Sequence, residues 1–167
     1  MSLRGRIRDE EGAAAVEFAV SATATLAMLI GCFQAFMMLY AYHYVSYATR
    51  DATRWAMVRG LDCSSDTSFS TAMVCGAAQS DIQTHLQNLG FPGIDTTKLT
   101  ATASWYTSNN TTPVVWTLCA SGTPTGNCNQ PGSLVKVRVT YQYPLSIPFV
   151  PSQTVNMSST SQMVISQ

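Results

Sequence analysis

The chain reads as an α+β protein: a long apolar N-terminal helix crosses a membrane and continues as a stalk, and a small antiparallel β-sheet head with one short helix follows. Three observations predict this. Between residues 18 and 49 there is no Asp, Glu, Lys or Arg. The apolar run over residues 13–42 exceeds the roughly 20 residues that cross a hydrocarbon core. Beyond Pro92 the apolar positions recur at every second residue instead of every third or fourth, which is the period of a strand with one buried face.

A charged leader opens the chain, with Arg4, Arg6, Arg8, Asp9, Glu10 and Glu11. The segment Gly12-Ala13-Ala14-Ala15-Val16-Glu17-Phe18 follows. Glu17 is the one formally charged side chain in the apolar run. At the centre of a bilayer a charge costs about 2.5–3.5 kcal/mol on insertion scales, so an intramembrane carboxylate is read by default as functional. The alternative is a side chain that snorkels to the nearby headgroups. A cleaved secretory signal is the competing reading of the whole run, but its apolar core is normally about 7–15 residues long and ends at an Ala-x-Ala site, which this run lacks. Tyr40, Tyr42, Tyr44 and Tyr47 crowd the far end, where amphipathic rings favour the headgroup layer.

Past the membrane, Val45, Ala48, Ala52, Trp55, Ala56 and Arg59 continue at three- and four-residue spacing, and Gly60 stops the helix. The expected organisation is a leader over residues 1–12, a transmembrane and stalk helix over 13–59, and an exported head over 60–167. Residues 61–79 read as irregular. Ser80 with Gln83 forms a capping box for a short helix whose Ile82, Leu86 and Leu89 share a face and whose end is Gly90. Leu99, Ala101, Ala103 and Trp105 then alternate with polar residues, as do Val135, Val137, Val139, Tyr141 and Tyr143. Val155, Met157, Met163 and Ile165 do so less strictly, the run 114–118 adds a possible fourth strand, and Asn109-Asn110 could turn into it.

The 167 residues are 46% hydrophobic, only 11% charged and carry no formal net charge, which excludes the basic footprint of a nucleic-acid binder. Three arginines on each side of the span leave the positive-inside rule tied. Cysteine points to export. Cys63, Cys75, Cys119 and Cys128 all follow the span and suit two disulfides in an oxidising compartment. Of three connectivities the local pairs are favoured, Cys63 with Cys75 and Cys119 with Cys128. Zinc is not indicated, because no CxxC occurs and the histidines are His43 and His85 alone.

Catalysis needs a nucleophile, a base and a stabiliser within reach of one another. The head has one histidine, His85, which would have to work with Asp81 or Asp95, and it has no glutamate and no G-x-S-x-G or GxxxxGK motif. No enzyme, cofactor or metal is expected. His85 is expected to face solvent, and Lys136 and Arg138 to lie on a solvated strand face. A membrane-anchored exported binding module remains the alternative, with Trp105, Trp116 and Tyr106 as contacts or, more simply, as core.

Gly12 followed by Ala13-Ala14-Ala15-Val16-Glu17-Phe18, after a short leader and before an apolar helix, resembles the class III signal of type IV prepilins. Within that group it is similar to the TadE-like minor pilins, or pseudopilins, of the tight-adherence (Flp) pilus system. The C-terminal end adds to the resemblance with Tyr143-Pro144-Leu145-Ser146-Ile147-Pro148-Phe149 and a Ser/Thr-rich last strand. The resemblance implies a type IV pilin-like fold and a processing site between Gly12 and Ala13, cut on the cytoplasmic face by a membrane-embedded aspartic prepilin peptidase. Glycine at that position fits the chemistry, since a residue without Cβ lets catalytic groups reach the backbone. It further implies a bacterial inner-membrane protein with the N-terminus cytoplasmic and the head periplasmic, or one incorporated in an extracellular pilus. Other pilins of the system, a TadF-like pseudopilin and the major Flp-type pilin, would be its partners. Cleavage would free an α-amino group on Ala13, and Glu17, beside Phe18, would meet such an amine of a neighbouring subunit during assembly. The leader departs from a purely basic pattern at Asp9, Glu10 and Glu11.

Overall fold

The computed structural model describes residues 3–65, 75–109, 112–146 and 151–166. Helix α1 (Leu3–Met57) is continuous through the leader, the apolar run and the stalk. Helix α2 (Gln79–Asn88) and four strands follow, β1 (Leu99–Ser108), β2 (Trp116–Ser121), β3 (Leu134–Leu145) and β4 (Gln153–Val164), with 3-10 turns at Leu61–Ser65, Thr96–Lys98 and Gly126–Asn129. The chain forms two compact units, one of Met1–Leu39 with Pro144–Thr154, the other of Tyr40–Tyr143 with Val155–Gln167. Parts of two expected features, the Asn109-Asn110 turn and the Ile147-Pro148-Phe149 stretch of the C-terminal motif, lie outside the described residues.

The α+β reading holds in the head. The sheet order is β2-β1-β3-β4, with β1 antiparallel to both its neighbours. The period-two pattern resolves as predicted: Leu99, Ala101, Ala103 and Trp105 of β1 and Val135, Val137, Val139, Tyr141 and Tyr143 of β3 are buried. Leu99 stands opposite Tyr141, Ala101 opposite Val139 and Ala103 opposite Val137, so the apolar residues of the two central strands share one face. The opposite face carries Thr100, Thr102, Arg138 and Gln142 in the open.

Of the residues expected to meet the head, Val45, Ala48, Ala52 and Ala56 are buried and Trp55 and Arg59 half-buried, and Ala41, Tyr44, Thr49 and Thr53 extend the buried stripe. Alanines there keep the helix surface low. The two threonines turn their hydroxyls back onto Val45 O at 2.6 Å and Thr49 O at 2.7 Å, which satisfies a polar atom where no water reaches. Tyr44 corrects the expectation of a headgroup-layer residue: it is buried, its ring 4.6 Å from that of Phe91. Tyr40, Tyr42 and Tyr47 stay exposed. The four-residue spacing Tyr40-Tyr44-Ala48 puts tyrosines on the buried stripe as readily as on the free face.

Helix α2 starts two residues earlier than expected and is capped differently. Ala78 precedes it, and the Asp81 carboxylate accepts a hydrogen bond from the Ala78 N–H at 2.9 Å. Ser80 is inside the first turn, and Gln83 is occupied elsewhere. Gly90, with φ of 43°, follows the helix in the left-handed region as its predicted stop. Ile82 and Leu86 supply the buried face.

The work of Gln83 is on β1. Strand β2 pairs only with Ser104–Ser108 of β1, which leaves the earlier backbone edge of β1 without a strand. Gln83 Oε1 accepts from Ala101 N–H at 2.6 Å while its Nε2 donates to Leu99 O at 2.7 Å. One turn earlier, Gln79 Oε1 accepts from Ala103 N–H at 3.0 Å. Two glutamines at i and i+4 thus reproduce the hydrogen bonds of an absent strand and cover an edge that would otherwise invite pairing with another chain.

Disulfides join Cys63 to Cys75 and Cys119 to Cys128, each with Cα atoms 5.6 Å apart. The register of β2 on β1 passes from Ala120 opposite Trp105 to Leu118 opposite Tyr106. Cys119 is therefore the extra residue of a β-bulge, the kind of irregularity that re-aims a side chain, and its sulfur ties the strand to the buried Cys128 of the 3-10 turn Gly126–Asn129.

Candidate functional site

The predicted assembly residues lie at the beginning of the exposed part of α1. All residues from Gly12 to Leu26 are exposed, Phe18 at 75%. An exposed apolar helix of this kind has its solvent in lipid or in other helices. The segment Gly12–Met57 is long and apolar enough to cross a membrane. Two hydroxyls in its most apolar part are satisfied within the helix, Thr23 Oγ1 donating to Ala19 O at 2.7 Å and Thr25 Oγ1 to Ser21 O at 2.8 Å, the arrangement a helix in hydrocarbon requires.

Gly12 is helical, and a Cβ built on it meets no atom within 4 Å. Its backbone is free to approach on the side-chain flank, as that of Ala13 is on an exposed turn. Glu17 is exposed, and no ion pair of its carboxylate falls among the described residues. Val16, Ala19, Val20, Thr23, Ala24 and Ala27 line a shallow groove along the same stretch. Small side chains in a row at three- and four-residue spacing lower the helix surface, which lets a second helix come close. Glu17 stands one residue from the groove's first member.

A second cluster, which sequence reasoning missed, joins α1 to α2. His85 Nε2 and Asp51 Oδ2 are 2.8 Å apart, and the His85 ring stacks on Trp55 with centroids separated by 5.0 Å. The Arg59 guanidinium lies 4.1 Å from the Trp55 ring centroid. Burial holds that guanidinium below its ordinary pKa. Arg59 also donates to Trp55 O at 3.2 Å. The expectation of a solvent-facing His85 is corrected: the ring is held between a carboxylate and an indole. Asp81 and Asp95, the acids considered as its partners, are engaged elsewhere, Asp81 at the start of α2 and Asp95 with the N–H and hydroxyl of Thr97. The signal that could have found the cluster is the four-residue spacing Asp51-Trp55-Arg59, two positions on one flank of α1 and a third just past its end.

Of the candidate contacts for a ligand, Trp105 is core, Tyr106 is half-buried and Trp116 is 37% exposed on β2 beside exposed Val114, Val115 and Leu118. Among the described residues no group of His, Cys, Asp and Glu could hold a metal ion. Cys32 is a free, exposed cysteine on the apolar helix.

Residues 12–54 match the family model described as TadE-like protein. The match begins at Gly12 and ends three residues before the C-terminus of α1, so it covers the glycine-to-glutamate spacing and the apolar helix together and leaves the sheet unmatched. The suspected resemblance is thus found by an independent comparison over the segment that carried it. It links the chain with the TadE-like family over that segment, whose helix is long and apolar enough to cross a membrane. No curated protein and no solved structure matches the chain.

Proposed function

We propose that this chain is a minor pilin or pseudopilin that takes part in assembly of a tight-adherence pilus, cut by prepilin peptidase between Gly12 and Ala13. The reading rests on one observation above all: the family match starts at Gly12 and runs down a stretch of α1 in which every residue from 12 to 26 is exposed. The fresh N-terminus at Ala13 would carry an α-amino group, charged near neutral pH. Glu17 lies four residues on, about one helical turn, so in the mature chain the ammonium and the carboxylate sit at one end of the helix. The carboxylate pairs with the ammonium of a neighbouring helix during assembly and fixes its register. A buried ion pair of this kind specifies geometry more than it stabilises, because desolvation offsets most of the attraction.

The leader, the span and stalk helix and the head are three functional parts in this reading: residues 1–12 are removed, 13–59 anchor and pack, and 60–167 stand on the periplasmic side. Two disulfides in the head agree with that side of the membrane. Partners are the peptidase and the other pilins of the system, among them a TadF-like pseudopilin and the major Flp-type pilin. The test is assembly by Glu17→Gln, which keeps size and removes charge. Filaments or initiation complexes should fall sharply in number while the protein is still processed and inserted. Assembly at the level of the unaltered chain would remove the role of Glu17.

A second reading, a membrane-anchored exported binding module without a filament, is favoured by one feature. Val114, Val115, Trp116 and Leu118 form an exposed apolar group at the free edge of the sheet. Replacing Trp116 with Ser separates the two: the pilin reading expects normal assembly from this variant.

A further inference from the structure

Strand register sorts the residues on the outer face of the sheet. On β1, Thr100, Thr102, Ser104 and Tyr106 alternate with the buried row, and directly opposite residues of antiparallel strands share a face. On β3, Lys136 stands opposite Ser104 and Arg138 opposite Thr102. On β2, Leu118 stands opposite Tyr106 and Trp116 opposite Ser108. Arg138 also donates to Ser158 Oγ of β4 at 3.3 Å, which brings Ser158 to this side together with Asn156 and Thr160, all three exposed. One face thus carries a corner of Tyr106, Trp116 and Leu118, two cations diagonal to it, and hydroxyls around them.

The charge on this face is of one sign. No Asp or Glu occurs in residues 96–167. Of the three cations there, Lys98 has the Asp95 carboxylate at 3.7 Å, while neither Lys136 nor Arg138 has an ion pair among the described residues. Two positions apart on one strand, Lys136 and Arg138 stand about 7 Å from each other. Like charges side by side add repulsion to the fold, and here their counter-charge has to come from outside. A cleft adjoins them. Past the end of β2, Gly122 N–H donates to Ala103 O at 3.0 Å and Gly122 O accepts from Gln79 N–H at 2.8 Å. Beside it, Gln79, Ser80, Gln83, Thr100 and Thr123 help to line about 470 Å³ of space with hydroxyls and carboxamides and, among the described residues, no charged side chain. Thr100 belongs to both the cleft and the outer face, where it is the diagonal neighbour of Arg138 at about 7–8 Å.

We infer that the outer sheet face and the adjoining cleft bind an acidic polysaccharide, a chain of pyranose units that carry carboxylates. Charge selects the anion. The Arg138 guanidinium is a planar fork that takes a carboxylate through two N–H bonds, and Lys136 adds a point charge beside it. Aromatic rings select the sugar: the negative face of an indole or phenol attracts the polarised C–H bonds on one side of a pyranose, which gives exposed Trp116 and half-buried Tyr106 a ligand. The hydroxyls of Ser80, Thr100 and Thr123 exchange hydrogen bonds with those of a neutral ring. An open face with its cations in the middle and its aromatic corner at one end takes an extended polymer laid across the strands. A single-stranded nucleic acid fits it less well, since that ligand wants a basic groove with a succession of stacking platforms. The inference requires neither processing at Gly12 nor a filament, so it stands or falls apart from the pilus reading.

The test is binding of the full chain, with both disulfides intact and in an uncharged polyoxyethylene detergent, to immobilised polygalacturonate by surface plasmon resonance. Fully methyl-esterified polygalacturonate keeps the sugar chain without its charge, and oligothymidylate supplies charge without the sugar polymer. The unaltered chain should bind the acid polymer and lose most of that binding on the ester. Lys136→Gln with Arg138→Gln should weaken binding about tenfold or more, and Trp116→Ser several-fold. Arg50→Gln with Arg54→Gln, an equal change of charge at exposed positions of α1, should stay within about twofold. Added salt should weaken the parent more than the Lys136 and Arg138 variant. Absence of binding to polygalacturonate, equal binding to its ester, or equal losses in the two double variants would overturn the inference. So would tighter binding of oligothymidylate, which would make the face a nucleic-acid surface.

Discussion

Replacing Gln83 with Ala removes both hydrogen bonds by which this side chain holds the edge of β1. Leu99 and Ala101 are each 1% exposed, so water reaches the orphaned Leu99 carbonyl and Ala101 N–H poorly. A typical intramolecular hydrogen bond contributes about 0.5–1.5 kcal/mol, and leaving a buried partner unsatisfied moves the loss toward about 1–3 kcal/mol. Two bonds to one half-buried side chain give an expected loss of about 2 kcal/mol. Gln79→Ala, with one such bond, should cost about half as much, and Gln87→Ala, exposed on the same helix, should stay within about 0.5 kcal/mol of the parent. The assay is denaturant unfolding of the detergent-solubilised chain followed by tryptophan fluorescence, with Trp105 in the core as reporter. For a head of roughly 100 residues a 2 kcal/mol loss corresponds to a fall in Tm of about 8–16 °C. Amide exchange at Ala101 should accelerate in parallel. If Gln83→Ala unfolded within 0.5 kcal/mol of the parent, by about the same margin as the exposed control, the strand-replacing role of α2 would be refuted.

Removing the disulfides separately should cost similar amounts: with half-cystines 12 and 9 positions apart in sequence, the chain-entropy estimate is about 2.5–3 kcal/mol for each, measured as the unfolding midpoint of the paired Cys→Ser variants. Asp95 accepts hydrogen bonds from the hydroxyl and N–H of Thr97, which hold its carboxyl below the ordinary value. A depressed folded pKa favours the fold at pH above the unfolded carboxyl value and gives up that contribution as pH falls through the folded one. Carboxyl NMR titration should place Asp95 below ordinary aspartates, and Thr97→Val should raise it. Thr53→Val should be tolerated within about 1 kcal/mol by the same unfolding assay, because the hydroxyl donates only to Thr49 O of its own helix, a carbonyl that keeps its helical N–H partner, so no buried polar group is orphaned.

What sequence discloses and what it withholds divides along physical lines. The alternation in β1 and β3 was readable because a sheet with one wet face forces a period of two, and the alanine stripe of α1 because a buried helical face forces three and four. Glu17 stands out in the sequence because charge in an apolar run is rare, and its role remains a proposal. Partners were harder. Ser80 and Gln83 satisfy the capping-box spacing, yet the cap comes from Asp81, and Gln83 serves a strand edge that only tertiary folding brings alongside. Tyr44 and Tyr47 both meet the Phe91 ring, at 4.6 and 5.6 Å, and only Tyr44 falls on the buried stripe of α1. The pairing of Asp51 with His85 spans 34 positions, a distance no local pattern encodes. Local rules therefore located the helix ends to within two residues at Gly60 and Gly90, while the contacts that bind α2 to both α1 and the sheet emerged from the fold.

The account turns on Gly12 and on the carboxylate that follows it. The direct measurement is the intact mass and N-terminal sequence of the protein isolated from cells that contain prepilin peptidase. The account predicts a chain beginning at Ala13, and retention of Met1 in the Gly12→Val variant. A parent chain that still begins at Met1 in those cells would contradict it.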